Sequence, residues 1–324
     1  MKNFVVCSVV LFVLGCAKES NPVASKGQHG LFEIYFLKDS MMTAYAASKL
    51  NINQLVLNDN PWLTDNGIEF YDFSCHCIYL KEDKSRYFEG YDKSSEVRPW
   101  SRGNAFVVVA NAERCYVGSL HSAVLSSAPW GPYMDELSVW HYPADVMHIS
   151  KAWNDTNDVR NDNRIQQTLI SLGLYRGGIS VRLQSVNVVE NSDTSTVEYV
   201  FTLRNADRDN LLVPDPIKMG TELFHYFTNG VVFQSDGAMF QSLYKKTSSP
   251  PVKWDAAWFT ELPANASTQR TVRLKGYPRV TPGTYSCSFT FAGPIEIAKE
   301  NRSLAEGRIW LGEVESEKTA IVVQ

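Results

Sequence analysis

The sequence predicts an α+β protein, with a mixed α/β unit in residues 31–152 followed by an all-β unit in residues 179–324. Three observations predict this class. A chain of 324 residues is long for one domain and suits two. The first unit mixes short strand-like runs with a helical pattern. The second unit places apolar residues at every other position, which is typical of strands with one buried face.

The first sixteen residues have the organisation of a secretory leader. Lys2 precedes an apolar run over residues 4–14, and the small Gly15 stands before Cys16. The run is too short to cross a bilayer, which takes roughly 20 apolar residues. The stretch Val13-Leu14-Gly15-Cys16 resembles the lipobox of bacterial lipoproteins, in which a peptidase cuts before the cysteine and acyl chains such as palmitate are attached to it.

This resemblance implies that residues 1–15 are a signal peptide and that Cys16 carries a lipid that anchors the chain in a membrane. Two or more acyl chains on one residue make a stable anchor. Ala17 stands where the family places aspartate for retention at the inner membrane, so the implied location is the cell envelope, at the outer membrane if the cell has one. The alternative is an ordinary signal with a chance cysteine. Residues 16–30, which include Pro22, are expected to form a flexible tether.

The first unit is expected to open with a strand, a helix and further strands. Alternation over residues 31–37 predicts a strand with Phe32, Ile34 and Phe36 on one face. Asp39 or Ser40 is expected to cap a short helix that follows. Further strands are predicted over residues 54–57, 68–73 and 77–80, then a charged insert over 81–102 and a hairpin around 111–113.

Residues 153–178 are predicted to be a helical connector. Ile165, Leu169 and Leu172 recur at helical spacing, and Gly173 is expected to end the helix. The run 154–163 that precedes it is rich in Asn and Asp, whose oxygens are ligands that Ca²⁺ prefers. Its spacing does not match an EF-hand loop, so a solvated loop that caps the helix is the favoured alternative.

In the second unit, alternation predicts strands over residues 196–204, 272–274 and 285–291. Asn229-Gly230 lies between two apolar runs and predicts a β-hairpin. The strand over 196–204, followed by the turns Leu262-Pro263-Ala264-Asn265 and Pro282-Gly283-Thr284-Tyr285, resembles bacterial immunoglobulin-like β-sandwiches, which include protease-inhibitor-like and adhesin-like members. The resemblance covers residues 179–324 and implies a fold without an activity.

Four cysteines follow the lipid-attachment site. Cys75 and Cys77 flank His76, and in a strand they would share one face. A disulfide from Cys75 or Cys77 to Cys115 suits an oxidising compartment, while buried thiols and a metal site remain alternatives. A second ligand pair is missing from the sequence, so we predict no metal or other cofactor. Cys287 is expected to be a lone thiol in the core.

Candidate binding residues are few. His141 and His148 flank Pro143 and are candidates to converge on one site, although a lone histidine is usually packed or hydrogen-bonded. Trp254 and Trp258 form one tryptophan cluster, and residues 130, 140 and 153 form another. Most such side chains are core residues, but either cluster is a candidate binding surface.

The composition and the motifs together favour a binding protein. A net charge of −4 without a dense basic patch argues against nucleic acid as a partner. The sequence has no Gly-x-Ser-x-Gly elbow, phosphate-binding glycine loop or His-Glu-x-x-His helix. We therefore predict a lipid-anchored envelope protein that binds or scaffolds another envelope protein or polymer. The alternatives are an envelope hydrolase, with its site in the first unit or at the junction, and a protease-inhibitor-type module.

Overall fold

The computed structural model describes residues 30–88, 103–122, 128–135, 141–152, 157–191, 193–235, 238–241 and 254–324. The lipobox at residues 13–16, the tether up to residue 29, Trp140, Trp153, residues 154–156 and residues 89–102 of the charged insert lie outside this part of the chain. None of the helices within it has the length and apolar character that crossing a membrane requires.

The described part of the protein is mostly β, with few helices and several sheets, one of which curls into a half-barrel. The described helices are α1 (Ala44–Ser48), α2 (Ser85–Phe88), α3 (Asn163–Ser171), α4 (Pro216–Met219) and α5 (Thr221–Thr228). The strands of the first half and the connector are β1 (Phe32–Phe36), β2 (Leu63–Thr64), β3 (Ile68–Asp72), β4 (Cys77–Leu80), β5 (Ala105–Ala110), β6 (Glu113–His121), β7 (Tyr133–Asp135), β8 (Val146–His148) and β9 (Tyr175–Arg176).

The second half contributes twelve strands to the described structure. They are β10 (Ile179–Glu190), β11 (Thr194–Asn205), β12 (Leu211–Pro214), β13 (Val231–Ser235), β14 (Ala238–Phe240), β15 (Phe259–Leu262), β16 (Ser267–Pro278), β17 (Gly283–Ala292), β18 (Ser303–Leu304), β19 (Gly307–Ile309), β20 (Glu313–Glu315) and β21 (Thr319–Val323).

The first half is built on a sheet in the order β2-β1-β5-β6-β7. All five residues of β1 are buried, where alternation predicted one buried face. The reason is that both faces of the sheet are covered. Phe32 and Ile34 pack in a core with Leu169 of α3, whereas Tyr35 on the opposite face packs with Ala47 of α1.

Two local predictions in this half are wrong. The helix α1 takes Thr43 as its N-cap, with its side chain accepting from Ala46 N, instead of Asp39 or Ser40. Asp39 closes an earlier turn by accepting from the amide of Met41. The strand expected over residues 54–57 does not form: a 3-10 turn capped by Asn51 covers residues 52–54, and Leu57 makes an isolated β-bridge to Leu37.

A second sheet in the order β8-β4-β3-β9 links the first half to the connector. The antiparallel strands β3 and β4 are joined by a turn that contains Cys75 and His76. Strand β9 follows α3 and pairs with β3 in parallel, Tyr71 lying opposite Tyr175. The connector therefore contains the helix α3 and ends in a strand of the first half's sheet, immediately before β10 begins.

Two sheets of the second half contribute side chains to one hydrophobic core. One has the order β10-β11-β16, and the other has the order β14-β13-β17-β20 with β21 added to β17. Aromatic side chains fill the space between them: the ring centroid of Phe289 lies 4.8 Å from that of Phe201 and 5.1 Å from that of Tyr199. The alternating residues predicted for these strands form this core.

The hairpin predicted at Asn229-Gly230 is wrong. The run before it, residues 223–227, lies in α5 and not in a strand. Asn229 is the helix C-cap at φ 57°, and its amide donates to His225 O. Gly230 also has a positive φ of 71°. The Asn-Gly pair thus ends a helix, since both residues tolerate the left-handed conformation that a C-cap requires.

The largest hydrophobic core crosses the predicted domain boundary. Phe70 and Tyr79 of the first half share it with Trp310 and Leu311 of the second. A third sheet of the second half, in the order β15-β12-β19-β18, supplies Ile309 to the same core. The two halves therefore meet across a packed apolar interface, and the candidate site lies at its edge.

Candidate functional site

A stacked aromatic pair from the first half meets three arginines at the junction. The rings of Phe70 and Tyr79 lie 4.0 Å apart with an interplanar angle of 22°. Arg308 lies 4.9 Å from the Phe70 ring and 5.6 Å from the Tyr79 ring. Arg302 lies 5.2 Å from Tyr79, and Arg176 of β9 lies 5.4 Å from Phe70. A guanidinium group over the face of an aromatic ring is attracted to the ring, and the attraction is stronger where water is excluded. The contacts of Arg308 and Arg302 with the two rings therefore hold the halves together.

Buried carboxylates balance two of these guanidinium groups. Arg308 Nη2 lies 3.1 Å from Asp207 and 3.7 Å from Asp72 of the first half. Arg176 Nε lies 3.3 Å from Asp209 and 3.8 Å from Asp207. Burial raises the pKa of Asp72, and the nearby Arg308 acts in the opposite direction. The network joins the first half, the connector and the second half through charges that are mostly shielded from water, with Asp209 as its exposed member.

A second ion-pair group lies beside the first. Arg302 pairs with Asp145, and both side chains are buried. Lys299 Nζ lies 2.8 Å from Glu69 and 4.0 Å from Asp145. Asp145 and Glu69 of the first half thus form ion pairs with Arg302 and Lys299 of the second half. These pairs fix the walls of a cavity that opens beside them.

This cavity has a volume of about 530 Å³ and is lined mostly by charged and polar residues from both halves. The first half contributes Lys81, Glu82, Asp83, His141, Tyr142, Pro143, Ala144 and Asp145, and the second contributes Glu296, Ala298, Lys299 and Glu300. We call it the polar lobe.

The buried ammonium of Lys84 supports one wall of the polar lobe. Its Nζ donates to the carbonyl oxygens of Tyr142 at 2.7 Å, Pro143 at 2.8 Å and Val146 at 3.2 Å. Burial lowers the pKa of Lys84 to about 8, so the group is mostly charged at neutral pH. The three donated hydrogen bonds hold the loop that carries His141 and Asp145.

A second cavity of about 570 Å³ adjoins the first. Most of the residues that line it are apolar, and all of them come from the second half: Trp254, Ala256, Phe259, Ile297, Leu304 and Ile309, with Asn301 at one side. Glu296, Ala298 and Glu300 line both cavities. We call this cavity the apolar lobe, and the two lobes together the junction groove.

Trp254 forms an aromatic wall of the apolar lobe. Its ring centroid lies 4.5 Å from that of Phe227, 5.6 Å from that of Trp258 and 6.0 Å from that of Phe259. Trp254 and Trp258 are both half-buried, but only Trp254 lines the groove. Of the two predicted tryptophans, Trp254 is therefore the one available to a ligand there.

The two predicted histidines have different surroundings. His141 is exposed and lines the polar lobe. His148 is buried, its ring 5.1 Å from that of Tyr142 and its Nδ1 3.2 Å from Ser150 Oγ. Burial, together with the nearby Arg160, lowers the pKa of His148 to about 3, so its ring is neutral at physiological pH. The structure thus brings only His141 to the groove.

The cysteines are free thiols throughout the described part of the chain. Cys75 Sγ donates to Leu311 O at 3.4 Å, and a side chain at Gly312 would lie 2.8 Å from Cys75 Sγ and 3.5 Å from Cys77 Sγ. Both thiols therefore lie under the second half, in the core that crosses the junction. The Cys75-His76-Cys77 stretch is a turn that leads into β4, because His76 has a φ of 55°.

Cys115 lies on β6 and packs against a different core from Cys75 and Cys77. The predicted disulfide to Cys115 is accordingly not formed in this structure. Burial raises the pKa of Cys115 to about 11 and that of Cys287, a fully buried core thiol, to about 12. Thiols with such raised pKa values are poor nucleophiles at neutral pH.

The acids of the 157–163 stretch serve as caps and arginine partners. Asp158 caps a 3-10 turn and pairs with Arg160 at 2.7 Å. Asp162 caps α3 and pairs with Arg164 at 2.6 Å. No group of three or more His, Cys, Asp or Glu side chains in the described structure is arranged to hold a metal ion.

Most residues that line the junction groove do not belong to any sequence motif, so the sequence alone does not indicate that they form a site. Glu296, Glu300 and Arg302 are surface-type charges close to β17, and nothing in their spacing connects them with Asp145 or His141. The sequence does predict one residue of the groove, Trp254, because Trp254 and Trp258 form a tryptophan cluster. Comparison with known protein families and with curated proteins finds no match to this chain.

Proposed function

We propose that this chain is a lipid-anchored protein of the cell envelope with a non-catalytic binding or scaffolding role, and that the junction groove is its binding site. The observation that carries the proposal is the groove itself, in which a lobe of about 530 Å³ between the halves adjoins a lobe of about 570 Å³ in the second half. Ligand sites favour clefts of this size at domain junctions, with apolar walls and a few placed polar groups. Another envelope protein or polymer is the proposed partner.

The lipid anchor is proposed from the Val13–Cys16 lipobox. Two acyl chains on Cys16 would hold the chain at a membrane, since each buried methylene contributes about 0.8 kcal/mol. We expect Cys16→Ala to accumulate as a precursor that incorporates no labelled palmitate, while the parent chain incorporates it. Equal labelling of the two proteins would contradict the anchor.

An immunoglobulin-like sandwich is the proposed fold of residues 179–324. Its support is the contact of Phe201 and Tyr199 on β11 with Phe289 on β17, which belong to two different sheets. Such sandwiches commonly carry binding surfaces on their loops and edges. The stretch 295–301, which lines both lobes of the groove, follows β17 of this unit.

The hydrolase alternative depends on His141 in the polar lobe. A hydrolytic site needs a nucleophile or base with an orienting partner in reach. The described residues that line the polar lobe include no Ser, Thr or Cys, and Asp145 is paired with Arg302. We therefore favour binding. A hydrolytic activity on an envelope polymer that His141→Ala abolishes without unfolding the protein would favour the hydrolase instead.

Site-directed photo-crosslinking in intact cells tests the binding site. Ala298 lines both lobes, so replacing it with a benzophenone amino acid places the reactive group inside the groove. The matched control carries the same group at Val189, which is exposed and lines neither lobe. We expect a discrete adduct with an envelope component from position 298 and none from position 189. Equal adducts from both positions, or none from position 298, would count against the groove as the binding site.

A further inference from the structure

We propose that the junction groove binds a peptide segment that carries a basic side chain next to an apolar or aromatic one. This inference rests on the proposed binding function and names its ligand class. Its basis is the arrangement of charge and apolar surface along the two lobes.

Carboxylates are in excess along the groove. The lining includes Glu82, Asp83, Asp145, Glu296 and Glu300, against the cations Lys81 and Lys299. Several of these charges already have partners. Asp145 pairs with Arg302, Lys299 pairs with Glu69, Glu82 pairs with Arg86, and Lys81 donates to Asn66 O.

Glu296 and Glu300 differ from the rest of the set. Both are exposed, both line the two lobes, and neither has an ion pair with any residue in the described ranges. Two unneutralised carboxylates thus stand at the boundary between the lobes. A ligand cation placed there would gain charge–charge attraction without displacing an internal partner.

The apolar lobe begins at the same two carboxylates. Trp254, Phe259 and Leu304 line it, and no basic residue is part of its described lining. A volume of about 570 Å³ takes an aromatic or branched aliphatic side chain together with its backbone. Because the lobes share Glu296, Ala298 and Glu300, the cation and the apolar group must be close together in the ligand.

These requirements select among envelope components. Polymers rich in phosphate or carboxylate would be repelled by Glu296 and Glu300. Neutral glycans would leave the carboxylates without a partner. A small organic amine would satisfy the carboxylates but leave the apolar lobe empty. A peptide in which Lys or Arg adjoins Trp or Leu meets both conditions at once.

Fluorescence anisotropy with the detergent-solubilised full chain tests this at low salt. The probe is a labelled peptide amide of sequence Gly-Leu-Trp-Lys-Lys-Gly. Gly-Leu-Trp-Glu-Glu-Gly removes its positive charge, and Gly-Ser-Ser-Lys-Lys-Gly removes its apolar part. We expect the first peptide to bind at least tenfold more tightly than either of the others. Equal or tighter binding of the glutamate peptide, or of the serine peptide, would overturn the proposal.

Variants of the chain locate the binding. The double variant Glu296→Gln/Glu300→Gln is expected to weaken binding of the first peptide by roughly tenfold, which corresponds to about 1.4 kcal/mol, because it removes both carboxylates that attract the cation of the ligand. Trp254→Ala should weaken it without changing its salt dependence. Glu306→Gln removes an exposed carboxylate outside the groove and should leave binding unchanged. An equal effect of Glu306→Gln would mean non-specific attraction and would contradict the proposal.

The result also separates this inference from the proposed function. If position 298 crosslinks to an envelope component in cells while the basic peptide does not bind, the groove is a binding site and the ligand class is wrong. If neither is observed, both proposals fail.

Discussion

Lys84 is the residue on which one wall of the polar lobe depends. Its ammonium donates to three carbonyl oxygens within residues 142–146, and its side chain is buried. Lys84→Met keeps the length of the side chain and removes all three donors. We expect the free energy of unfolding, measured by denaturant titration, to fall by about 2–4 kcal/mol, because buried carbonyls left without donors are costly.

Lys81→Met is the matched control for this change. Lys81 is exposed and makes a single hydrogen bond to Asn66 O at 3.0 Å. Surface substitutions of this kind usually change stability by less than about 0.5 kcal/mol. An equal loss of unfolding free energy in Lys84→Met and Lys81→Met would show that the buried ammonium of Lys84 does not stabilise the protein more than a surface ammonium does.

His148 makes the stability of the protein depend on pH. Burial, with Arg160 nearby, lowers its pKa from 6.5 to about 3, so between those values the unfolded chain binds a proton that the folded chain does not. Stability from this group is complete above pH 6.5 and is lost as the pH falls toward 3. The expected loss is about 1.4 kcal/mol per pH unit inside the window.

The buried His76 acts in the same direction, since burial, again with Arg160 nearby, lowers its pKa well below the usual value. We expect His148→Gln to reduce the slope of unfolding free energy against pH between 5.5 and 4 by about 1.4 kcal/mol per unit, the contribution of one proton. His141→Gln, at an exposed ring in the polar lobe, provides the control substitution. A slope unchanged in His148→Gln would mean that this ring is not held neutral.

For single residues, the sequence predicted the burial of apolar side chains better than it predicted which polar side chains have a structural function. The alternation in β17 correctly places Cys287 inside, where it is fully buried. It could not predict that Lys84 is buried, because a lysine beside two acids and a serine is typical of a solvated surface. Its burial depends on carbonyls about 60 residues away along the chain, and backbone carbonyls have no signature in sequence.

Among the elements, α5 and its C-cap show how one pattern serves two structures. Asn229-Gly230 between apolar runs predicts a hairpin, but both residues have positive φ at the end of a helix. The apolar residues Leu223, Phe224 and Phe227 fit a helix as well as a strand. A long alternating run such as that of β11 is less ambiguous, and the sequence predicted this strand correctly over residues 196–204.

Gly230 provides a test of this C-cap. A Cβ at this position would lie 2.5 Å from Tyr277 Oη and 2.8 Å from Leu274 Cδ2, and its φ is 71°. Gly173 ends α3 at the same φ of 71°, with no atom within 4 Å of an added Cβ. Both Ala variants carry the left-handed backbone cost of about 1–2 kcal/mol, and only Gly230→Ala adds the collision.

We therefore expect Gly230→Ala to lower the melting temperature clearly more than Gly173→Ala does. The comparison holds the backbone conformation constant and varies only the space for a methyl group. Equal shifts in the two variants would mean that the contact with Tyr277 yields easily and that packing behind α5 is loose.

For the whole molecule, the junction determines whether the halves unfold together. Arg308 lies mostly shielded between Asp72 and Asp207, so Arg308→Ala leaves the buried Asp72 without an ion pair among the described residues and Asp207 with Arg176 alone. Removing one partner of a buried pair typically costs about 3–5 kcal/mol. We expect the parent chain to unfold in a single calorimetric transition and Arg308→Ala to unfold at a lower temperature.

The exposed Arg273 supplies the control, since Arg273→Ala removes a guanidinium from the surface of β16. It should leave the melting temperature almost unchanged. Two separate transitions in the parent chain, with Arg308→Ala altering neither, would show that the halves are energetically independent despite their shared core.

The junction is also the part of the fold that the sequence could not predict. Phe70 and Arg308 stand more than 200 positions apart, and each is unremarkable in its own segment. The change in periodicity near residue 179, from which two units were predicted, was readable in the sequence. The shared core was not, because the pairing of residues from different units is decided by tertiary contacts that no local pattern encodes.

The position of β1 has a mechanical consequence. The strand starts two residues after Gly30, and it is hydrogen-bonded to β2 on one side and to β5 on the other. Tension that arrives along the chain from its amino-terminal side would pull on β1 along its own axis. The force would then act on all the hydrogen bonds to β5 at once, in shear. The bonds would not break one after another from one end of the strand. A chain tethered at that end would hold its first sheet under load.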